Sequence, residues 1–352
     1  MKLNRRDLLT GTLAAVGLGC SASTDVVETP TPGATAGSQP MPLATPPSSS
    51  STPATGRVGV ARGGEPGPTL MRAAAHAGGL PTAPRGGTVL IKVNTNSGDL
   101  YPYSSNPRTV ALLARHYMDM GATVVVGDRS FWGDGDTAGN FESNGIATAC
   151  KTSGAQLRVF GDEEPWHELT ALKYWVGPVR VPRLVMDADV VINLACAKTH
   201  FISGATLGLK NVLGLVHADD RARPGNLRSH DRDKLHHQVA EIHSALRPMF
   251  TIIDAFEALV AGGPTPQSGR PPKITRTGVV IAGADVIAVD AAGIALVRQE
   301  AASEEEVTQL PPWQSPILRA GVLAGLGVNG PEQMVWHSDP GLEALEDMAR
   351  QS

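Results

Sequence analysis

Two lysines and a histidine in the middle of the chain have the side chains and positions that chemistry on a small ligand requires. The run Val190-Val191-Ile192 is typical of a buried strand, and Lys198 and His200 follow it closely. Lys210 comes after a segment rich in small residues, and a helix beginning there would direct N–H groups toward an anion. The pattern predicts a pocket for a small anionic ligand, with Lys198, His200 and Lys210 as catalytic residues. The alternative is a solvated lysine pair and a core histidine.

Other polar residues occupy positions from which they could contact that ligand. Asp128 and Asp254 each follow a predicted strand, where a carboxylate can serve as a general base or a metal ligand. A helix cap or an Asx turn is the structural alternative for each. Asp128 is the fourth catalytic candidate. The residues expected to hold a ligand or cofactor are Lys210, Asn211, Gly204, Gly208 and Asn94.

Several histidines between residues 217 and 243 raise the question of a metal site. Neutral imidazole binds zinc and other transition metals, and the preferred ligands here are His200, His217 and His230. A divalent metal is therefore a candidate cofactor. The spacing contains no His-x-x-x-His pair with a downstream ligand, so surface or capping histidines are the alternative.

The elements that must position these residues alternate between β-rich runs and helical patterns from Arg57 onward. Near-continuous apolar strands between amphipathic helices predict an α/β fold, with a mostly parallel sheet and helices on both faces. Ligands of such sheets bind at the carboxyl ends of the strands. The residues expected at that edge are Asn94, Asp128, residues 193–200, Asp254 and Gly283. The predicted strands are Val58–Ala61, Thr88–Val93, Thr123–Gly127, Leu157–Phe160, Asp189–Leu194, Phe250–Asp254 and Gly278–Ala282. The predicted helices are Thr69–Ala77, Pro107–Met120, Thr137–Lys151, Asp231–Leu246 and Asp285–Arg298.

The same segments resemble a known protein family. The run Asp189–Leu194, the triplet Lys198-Thr199-His200 and the block Leu209–Gly214 resemble the signature of the bacterial and archaeal domain of unknown function 362 (DUF362). Lys92-Val93-Asn94 and the segment Gly121–Asp128 are similar to its opening block, and the similarity covers about residues 85–300. The resemblance implies no particular activity.

A more distant resemblance concerns the block from His200 to Lys210. It is similar to the catalytic block of the nickel-pincer lactate racemases. That resemblance implies that His200 handles a proton or hydride or binds the metal, and that Lys210 attaches the cofactor. A cofactor-bearing racemase-like enzyme is therefore one of the functions considered.

Composition and cysteine usage exclude several classes of function. The chain has 352 residues, of which 41% are hydrophobic, and a formal net charge of -4, which argues against a nucleic-acid-binding protein. Its cysteines are Cys20, Cys150 and Cys196, and none forms a C-x-x-C pair. This pattern excludes an iron–sulfur cluster on ligand count. Cys150 and Cys196 could form a disulfide, but two separate buried thiols are favoured.

The N-terminus predicts export from the cytoplasm. Arg5-Arg6 precedes a short, weakly apolar run, which is typical of a twin-arginine signal over residues 1–20. Gly19-Cys20-Ser21 resembles a lipoprotein cleavage site, with simple signal cleavage as the alternative. Residues 21–56 are rich in Pro, Thr and Ser and predict a disordered linker, followed by a single domain over residues 57–352. The expected location is the periplasm or cell envelope, with a lipid anchor at Cys20 as the only contact with the membrane.

Two classes of function fit these features. The first is an exported enzyme that acts on a small anionic substrate through Lys198, His200 and Lys210. The second is a tethered protein that binds an anion or a metal without catalysis. Export through the twin-arginine route slightly favours the first, because proteins that fold before export often carry a cofactor.

Overall fold

Runs of β-branched apolar residues form the centre of a sheet, as the sequence predicts. The computed structural model describes residues 56–352, apart from 131–135, 162–163 and 228–231. The predicted signal, Cys20, nearly all of the linker and His230 therefore lie outside the described residues. The strands are β1 (Arg57–Arg62), β2 (Thr88–Lys92), β3 (Thr123–Asp128), β4 (Gln156–Val159), β5 (Trp166–Leu169), β6 (Val179–Pro182), β7 (Val190–His200), β8 (Gly204–Thr206), β9 (Phe250–Ala261), β10 (Lys273–Thr275), β11 (Val279–Gly283) and β12 (Val335–Ser338).

The main sheet has the order β12-β1-β11-β9-β7-β2-β3-β4, and β11 alone in this series runs antiparallel to both neighbours. Two short strands, β8 and β10, add antiparallel pairs to β7 and β9, while β5 and β6 form a separate hairpin. The predicted mostly parallel sheet is confirmed. The position of Gly283 is corrected: because β11 is reversed, Gly283 pairs with Thr251 near the start of β9, at the edge opposite to the expected one.

Helices cover both faces of the sheet, also as predicted. Alternation along β7 shows this directly, since Val190, Ile192 and Leu194 belong to one buried apolar cluster, whereas Val191 and Ala195 belong to another on the opposite face. The helices are α1 (Pro66–His76), α2 (Pro107–Asp119), α3 (Thr137–Ser143), α4 (Ile146–Ser153), α5 (Arg183–Asp187), α6 (Gly208–Asn211), α7 (Ala218–Ala222), α8 (Arg232–Ala245), α9 (Val286–Glu300), α10 (Pro316–Leu323) and α11 (Glu343–Ala349). None of the helices in the described ranges is long and apolar enough to cross a bilayer.

Several element boundaries differ from the predicted ones. The predicted helix Thr137–Lys151 is two helices, because Gly145 between them has a φ of 84° that only glycine adopts readily. Strands β7 and β9 continue well past their predicted ends, to His200 and Ala261. In β7 the added polar residues Lys198, Thr199 and His200 have partners within the protein, whereas the added part of β9 is itself largely apolar.

The two cysteines in the described part of the chain are both free and buried. Burial raises the pKa of the Cys150 thiol to about 12 and that of Cys196 to about 11. The prediction of two separate buried thiols is therefore confirmed, and the disulfide alternative is wrong.

Candidate functional site

The predicted site residues meet at β2, where the strand order of the sheet reverses direction. From β2 the chain passes through α2 to β3, on one side of β2, whereas β7 lies on its other side. Such a switch point opens a crevice at the carboxyl ends of the strands. A cavity of about 120 Å³ lies there. A single water needs roughly 10–15 Å³ by the same measure, so a ligand of several heavy atoms fits. The lining residues are Lys92, Asn94, Thr95, Asn96, Asp128, Arg129, Lys198, His200, Phe201, Ile202, Thr206, Lys210, Asn211, Leu213, Gly214, Arg221, Leu227, Leu235 and Pro264.

Basic side chains outnumber acidic ones in the cavity lining, although the whole chain has a net charge of -4. Its described lining contains one carboxylate, Asp128, and five lysine and arginine side chains. These are Lys92, Arg129, Lys198, Lys210 and Arg221. An excess of positive charge in a concave site favours an anionic ligand.

Lys92 and Asp128 form a fully buried ion pair at this edge. Lys92 Nζ lies 2.8 Å from Asp128 Oδ1, and it also donates to Val93 O over 2.6 Å and to Asn211 Oδ1 over 3.4 Å. Three acceptors thus meet the three N–H bonds of this ammonium. Burial lowers the pKa of Lys92, and the charge of Asp128 opposes that shift. Lys92 therefore belongs to the scaffold of the site.

Both carboxylate oxygens of Asp128 likewise accept hydrogen bonds within the protein. Its Oδ2 accepts the N–H of Thr95 over 2.6 Å, and its Oδ1 accepts the N–H of Arg129 over 2.8 Å. A side chain on Gly214 would place its Cβ 1.9 Å from Asp128 Oδ1, so this position requires glycine. These contacts favour a structural role for Asp128, in which it positions the loops after β2 and β3, over a role as a general base.

A chain of amide side chains joins the strands beneath the cavity. Asn94 Nδ2 donates to Asn211 Oδ1 over 3.0 Å, and Asn211 Nδ2 donates to Asn193 Oδ1 over 2.8 Å. Lys198 Nζ donates to Asn94 Oδ1 and to Tyr103 O, both over 2.7 Å. Two of the three N–H bonds of Lys198 are therefore used by the fold, and the third has no acceptor among the described residues.

Lys210 differs from both other lysines. Within the described ranges, no hydrogen bond or ion pair joins its amine to another residue. Burial, followed by the nearby charge of Lys198, holds the pKa of Lys210 well below its usual range. Lys92, Lys198 and Lys210 thus have three, two and no acceptors, respectively.

Three further donor atoms along the cavity have no partner among the residues that the structure describes. They are Thr95 Oγ1, Arg129 Nε and Thr206 Oγ1, and all three atoms are buried. A buried polar atom without a partner costs about 1–3 kcal/mol. Together with the amine of Lys210, these atoms form a set of donors that no described residue satisfies.

The start of α6 corrects one prediction about this pocket. The N–H groups of Gly208 and Leu209 donate to Asp290 Oδ1 and Oδ2 over 2.9 and 2.8 Å. The anion at this helix end is therefore a carboxylate of the protein, not a ligand. Burial raises the pKa of Asp290 to about 7, against these two hydrogen bonds.

Gly204 and Gly208, expected to hold a ligand, have structural roles instead. A Cβ on Gly208 would lie 2.5 Å from Thr251 Cγ2 and 2.8 Å from Asp290 Oδ1, so glycine makes room for that carboxylate. Gly204 has a φ of 72° at the start of β8 and borders a smaller, separate cavity. The other predicted binding residues, Asn94, Lys210 and Asn211, line the main cavity.

The two predicted metal ligands that the structure describes use Nδ1 for backbone contacts. His200 Nδ1 accepts the N–H of Ile202 over 3.0 Å and that of Ser203 over 3.4 Å. His217 Nδ1 accepts the N–H of Asp219 over 3.2 Å. A ring nitrogen that accepts has no proton, so each neutral ring has its proton on Nε2. Metal binding through Nε2 needs the opposite tautomer, with Nδ1–H as a donor, and these rings do not suit it.

The proposed metal trio is also not assembled in the described part of the chain. His200 lines the cavity, whereas His217 caps α7 and packs against Trp166 with ring centroids 4.6 Å apart. His230 lies outside the described residues. Within those residues, no group of three or more His, Cys, Asp or Glu side chains is placed to hold a metal ion.

Sequence reasoning missed several residues of the site. Lys92 had a visible signal, because a lysine that ends the apolar run Val89-Leu90-Ile91 must find a partner inside the sheet. The sequence contains no comparable signal for Thr95, Thr206 or Arg221, since isolated polar residues in loops and short strands are common.

Comparisons with known proteins identify a family and similar proteins. The model of a family described as domain of unknown function (DUF362) matches residues 89–295. A thylakoid-associated protein of Synechocystis sp., sll1697, is 27% identical over 207 residues, which cover 58% of this chain and 61% of that protein. The chain thus spans about three fifths of the length of this curated relative.

Two solved structures are also similar in part. A Thermotoga maritima protein shares 15% identity, with a TM-score of 0.33 over 48% of this chain and 46% of that one. The lactate racemase apoprotein of Thermoanaerobacterium thermosaccharolyticum shares 12% identity, with a TM-score of 0.35 over 82% of this chain and 89% of that one. The family match spans more than half of the sequence, and the chain therefore belongs to the DUF362 family.

Proposed function

We propose that this protein binds a small anionic molecule in the cavity at the carboxyl ends of β2, β3 and β7. The observation that carries this proposal is a set of donors without a partner among the described residues: the buried atoms Arg129 Nε, Thr95 Oγ1 and Thr206 Oγ1, and the amine of the partly exposed Lys210. All four atoms can donate, and the only carboxylate in the described lining already faces Lys92. An anion would supply the missing acceptors and offset the positive charge.

Lys198 adds a directed contact to this set. Its bonds to Asn94 and Tyr103 fix the ammonium in place, and its third N–H is left for a ligand. Preorganised donors cost little further ordering when the ligand binds. The cavity is therefore better suited to a compact anion, such as a phosphate or carboxylate group, than to a flexible neutral molecule.

Calorimetric titration of the purified full-length protein with sulfate and phosphate tests the proposal. Replacing Lys210 by Met removes one charge-assisted hydrogen bond, so we expect the affinity to fall by about 10- to 100-fold. The matched control is Lys151→Met, which removes an exposed lysine of α4 and should leave binding unchanged. Equal affinities of the wild type and Lys210→Met, or no binding of either anion, would contradict the proposal.

Mass and elemental analysis of the same preparation addresses the cofactor alternatives. A bare polypeptide mass is expected if the cavity takes a dissociable anion. A stoichiometric metal, or added mass on Lys210, would instead favour the racemase-like alternative over simple anion binding.

We also propose that the protein is exported by the twin-arginine route and anchored by acylation of Cys20. Arg5-Arg6 before a short apolar run and the sequence Gly19-Cys20-Ser21 support this. Replacing both arginines by lysine should retain the protein in the cytoplasm, whereas Cys20→Ser should leave it exported but soluble. Export of the double-lysine variant at the normal rate would refute the signal, and continued membrane association of Cys20→Ser would refute the anchor.

A further inference from the structure

We propose that the Lys210 amine is a nucleophile that forms an imine with the aldehyde or ketone group of a small anionic carbonyl compound. This inference rests on the proposed function and names the class of ligand for the same cavity. It follows from the contrast between Lys210 and the two other lysines that line the cavity.

The three lysines differ in how many acceptors hold each amine. Lys92 is saturated by Asp128 and two further oxygens, and Lys198 is held by Asn94 Oδ1 and Tyr103 O. Both must remain donors to keep these bonds. Lys210 has no hydrogen bond to any described residue, so its nitrogen lone pair is available once the ammonium loses a proton. A nucleophilic lysine needs this freedom.

The surroundings of Lys210 favour loss of that proton. The cavity wall includes the apolar side chains of Ile202, Leu213 and Leu235, and no carboxylate pairs with Lys210 within the described residues. Burial and the neighbouring charge of Lys198 both lower the pKa of Lys210. Desolvation beside another cation is a recognised way to activate a lysine amine.

Other groups along the cavity would orient a carbonyl compound. Lys198 has one N–H left for the ligand's anionic group, and Arg221 lines the same space. His200 lines the same cavity, with its Nδ1 accepting the N–H groups of Ile202 and Ser203. The anionic group and the carbonyl thus each meet donors, while Lys210 supplies the nucleophile.

The reaction needs no oxidant or reductant. The nitrogen lone pair of Lys210 attacks the carbonyl carbon, a C–N bond forms, and the π electrons of C=O move to oxygen, which takes up a proton. The nitrogen of this carbinolamine loses its protons as the hydroxyl leaves, protonated, as water. The products are an imine and one water molecule.

Reductive trapping tests this proposal. The full-length protein is incubated with pyruvate or with glyceraldehyde 3-phosphate, reduced with borohydride, and digested for peptide mapping by mass spectrometry. We expect one adduct per chain, located on Lys210 and formed at least about tenfold faster than any adduct on the exposed Lys151. Lys210→Met should lose this adduct, and Lys151→Met should retain it.

The outcomes separate this inference from the proposed function. If sulfate binds in the cavity but neither carbonyl compound gives a preferred adduct on Lys210, the imine is refuted and anion binding stands. If sulfate does not bind and adducts are spread over exposed lysines, both fail. An adduct on Lys198 in place of Lys210 would also overturn the inference.

Discussion

Lys198 Nζ donates a 2.7 Å hydrogen bond to Asn94 Oδ1, which ties the end of β7 to the segment after β2 at the edge of the cavity. Lys210, whose pKa is lowered by burial and by the charge of Lys198, has no comparable bond to any described residue. One lysine is therefore part of the fold, while the other is left for a ligand.

This difference predicts opposite effects of two matched substitutions on stability. Lys198→Met leaves Asn94 Oδ1 and Tyr103 O without their donor, and we expect the free energy of unfolding to fall by about 1–3 kcal/mol. Lys210→Met removes a partly buried amine that has no hydrogen-bond partner among the described residues, and it should leave that free energy unchanged or higher. Urea unfolding followed by circular dichroism measures both. A large loss from Lys210→Met would show that its amine has a structural partner.

Thr206 is expected to contribute to anion binding through its hydroxyl. Thr206→Val keeps the shape of the side chain but removes an Oγ1 that has no partner within the described ranges. The affinity for sulfate should fall by about 2- to 12-fold, the equivalent of one ordinary hydrogen bond. Stability should not fall, because no bond within the protein is lost. Thr148→Val, on the exposed part of α4, is the control. Unaltered sulfate affinity in Thr206→Val would show that this hydroxyl does not contact the anion.

Anion binding should become weaker as the pH rises. The pKa of Lys210 is low in the free protein, and a bound anion raises it, so binding takes up a proton between the two pKa values. Affinity for sulfate should therefore fall by up to about tenfold per pH unit in that range. Calorimetry in buffers of different ionisation enthalpy measures the proton uptake directly. Lys210→Met should abolish this uptake, and uptake that persists in the variant would assign it to another group.

Asp290 should make the protein less stable as the pH rises toward 7. Its pKa is raised from 3.8 to about 7 in the folded state, so the folded protein binds more protons than the unfolded chain between these values. Stability from this group is therefore highest at low pH and declines through that window, by roughly 4 kcal/mol in total. Asp290→Asn should flatten this part of the curve of unfolding free energy against pH, whereas Asp119→Asn, at an exposed site, should not.

The positions of the predicted catalytic residues could be inferred because they depend on local signals. Lys198 and His200 follow an apolar strand, and the carboxyl ends of parallel strands meet at one edge, so sequence order and sheet geometry together place them. The same reasoning correctly placed Asn94 and Asp128 beside them.

The parts that could not be predicted depend on contacts between distant segments. The carboxylate that occupies the start of α6 comes from Asp290 in α9, and nothing near Gly208 indicates it. The reversal of β11, which moves Gly283 to the other edge, is set by pairing with β1 and β9 and not by its own residues. The tautomer of His200 likewise depends on the turn that brings the N–H of Ile202 back to its ring.

A crystal structure of the protein soaked with selenate tests most directly whether an anion binds beside Lys198 and Lys210. Anomalous scattering locates the selenium atom independently of any assumption about the ligand. We predict a peak in the cavity with selenate oxygens within hydrogen-bond distance of Lys198 Nζ and Lys210 Nζ, and no such peak in crystals of Lys210→Met. A cavity without selenium, in crystals soaked at a concentration that saturates the protein in calorimetry, would show that the anion does not bind in this cavity.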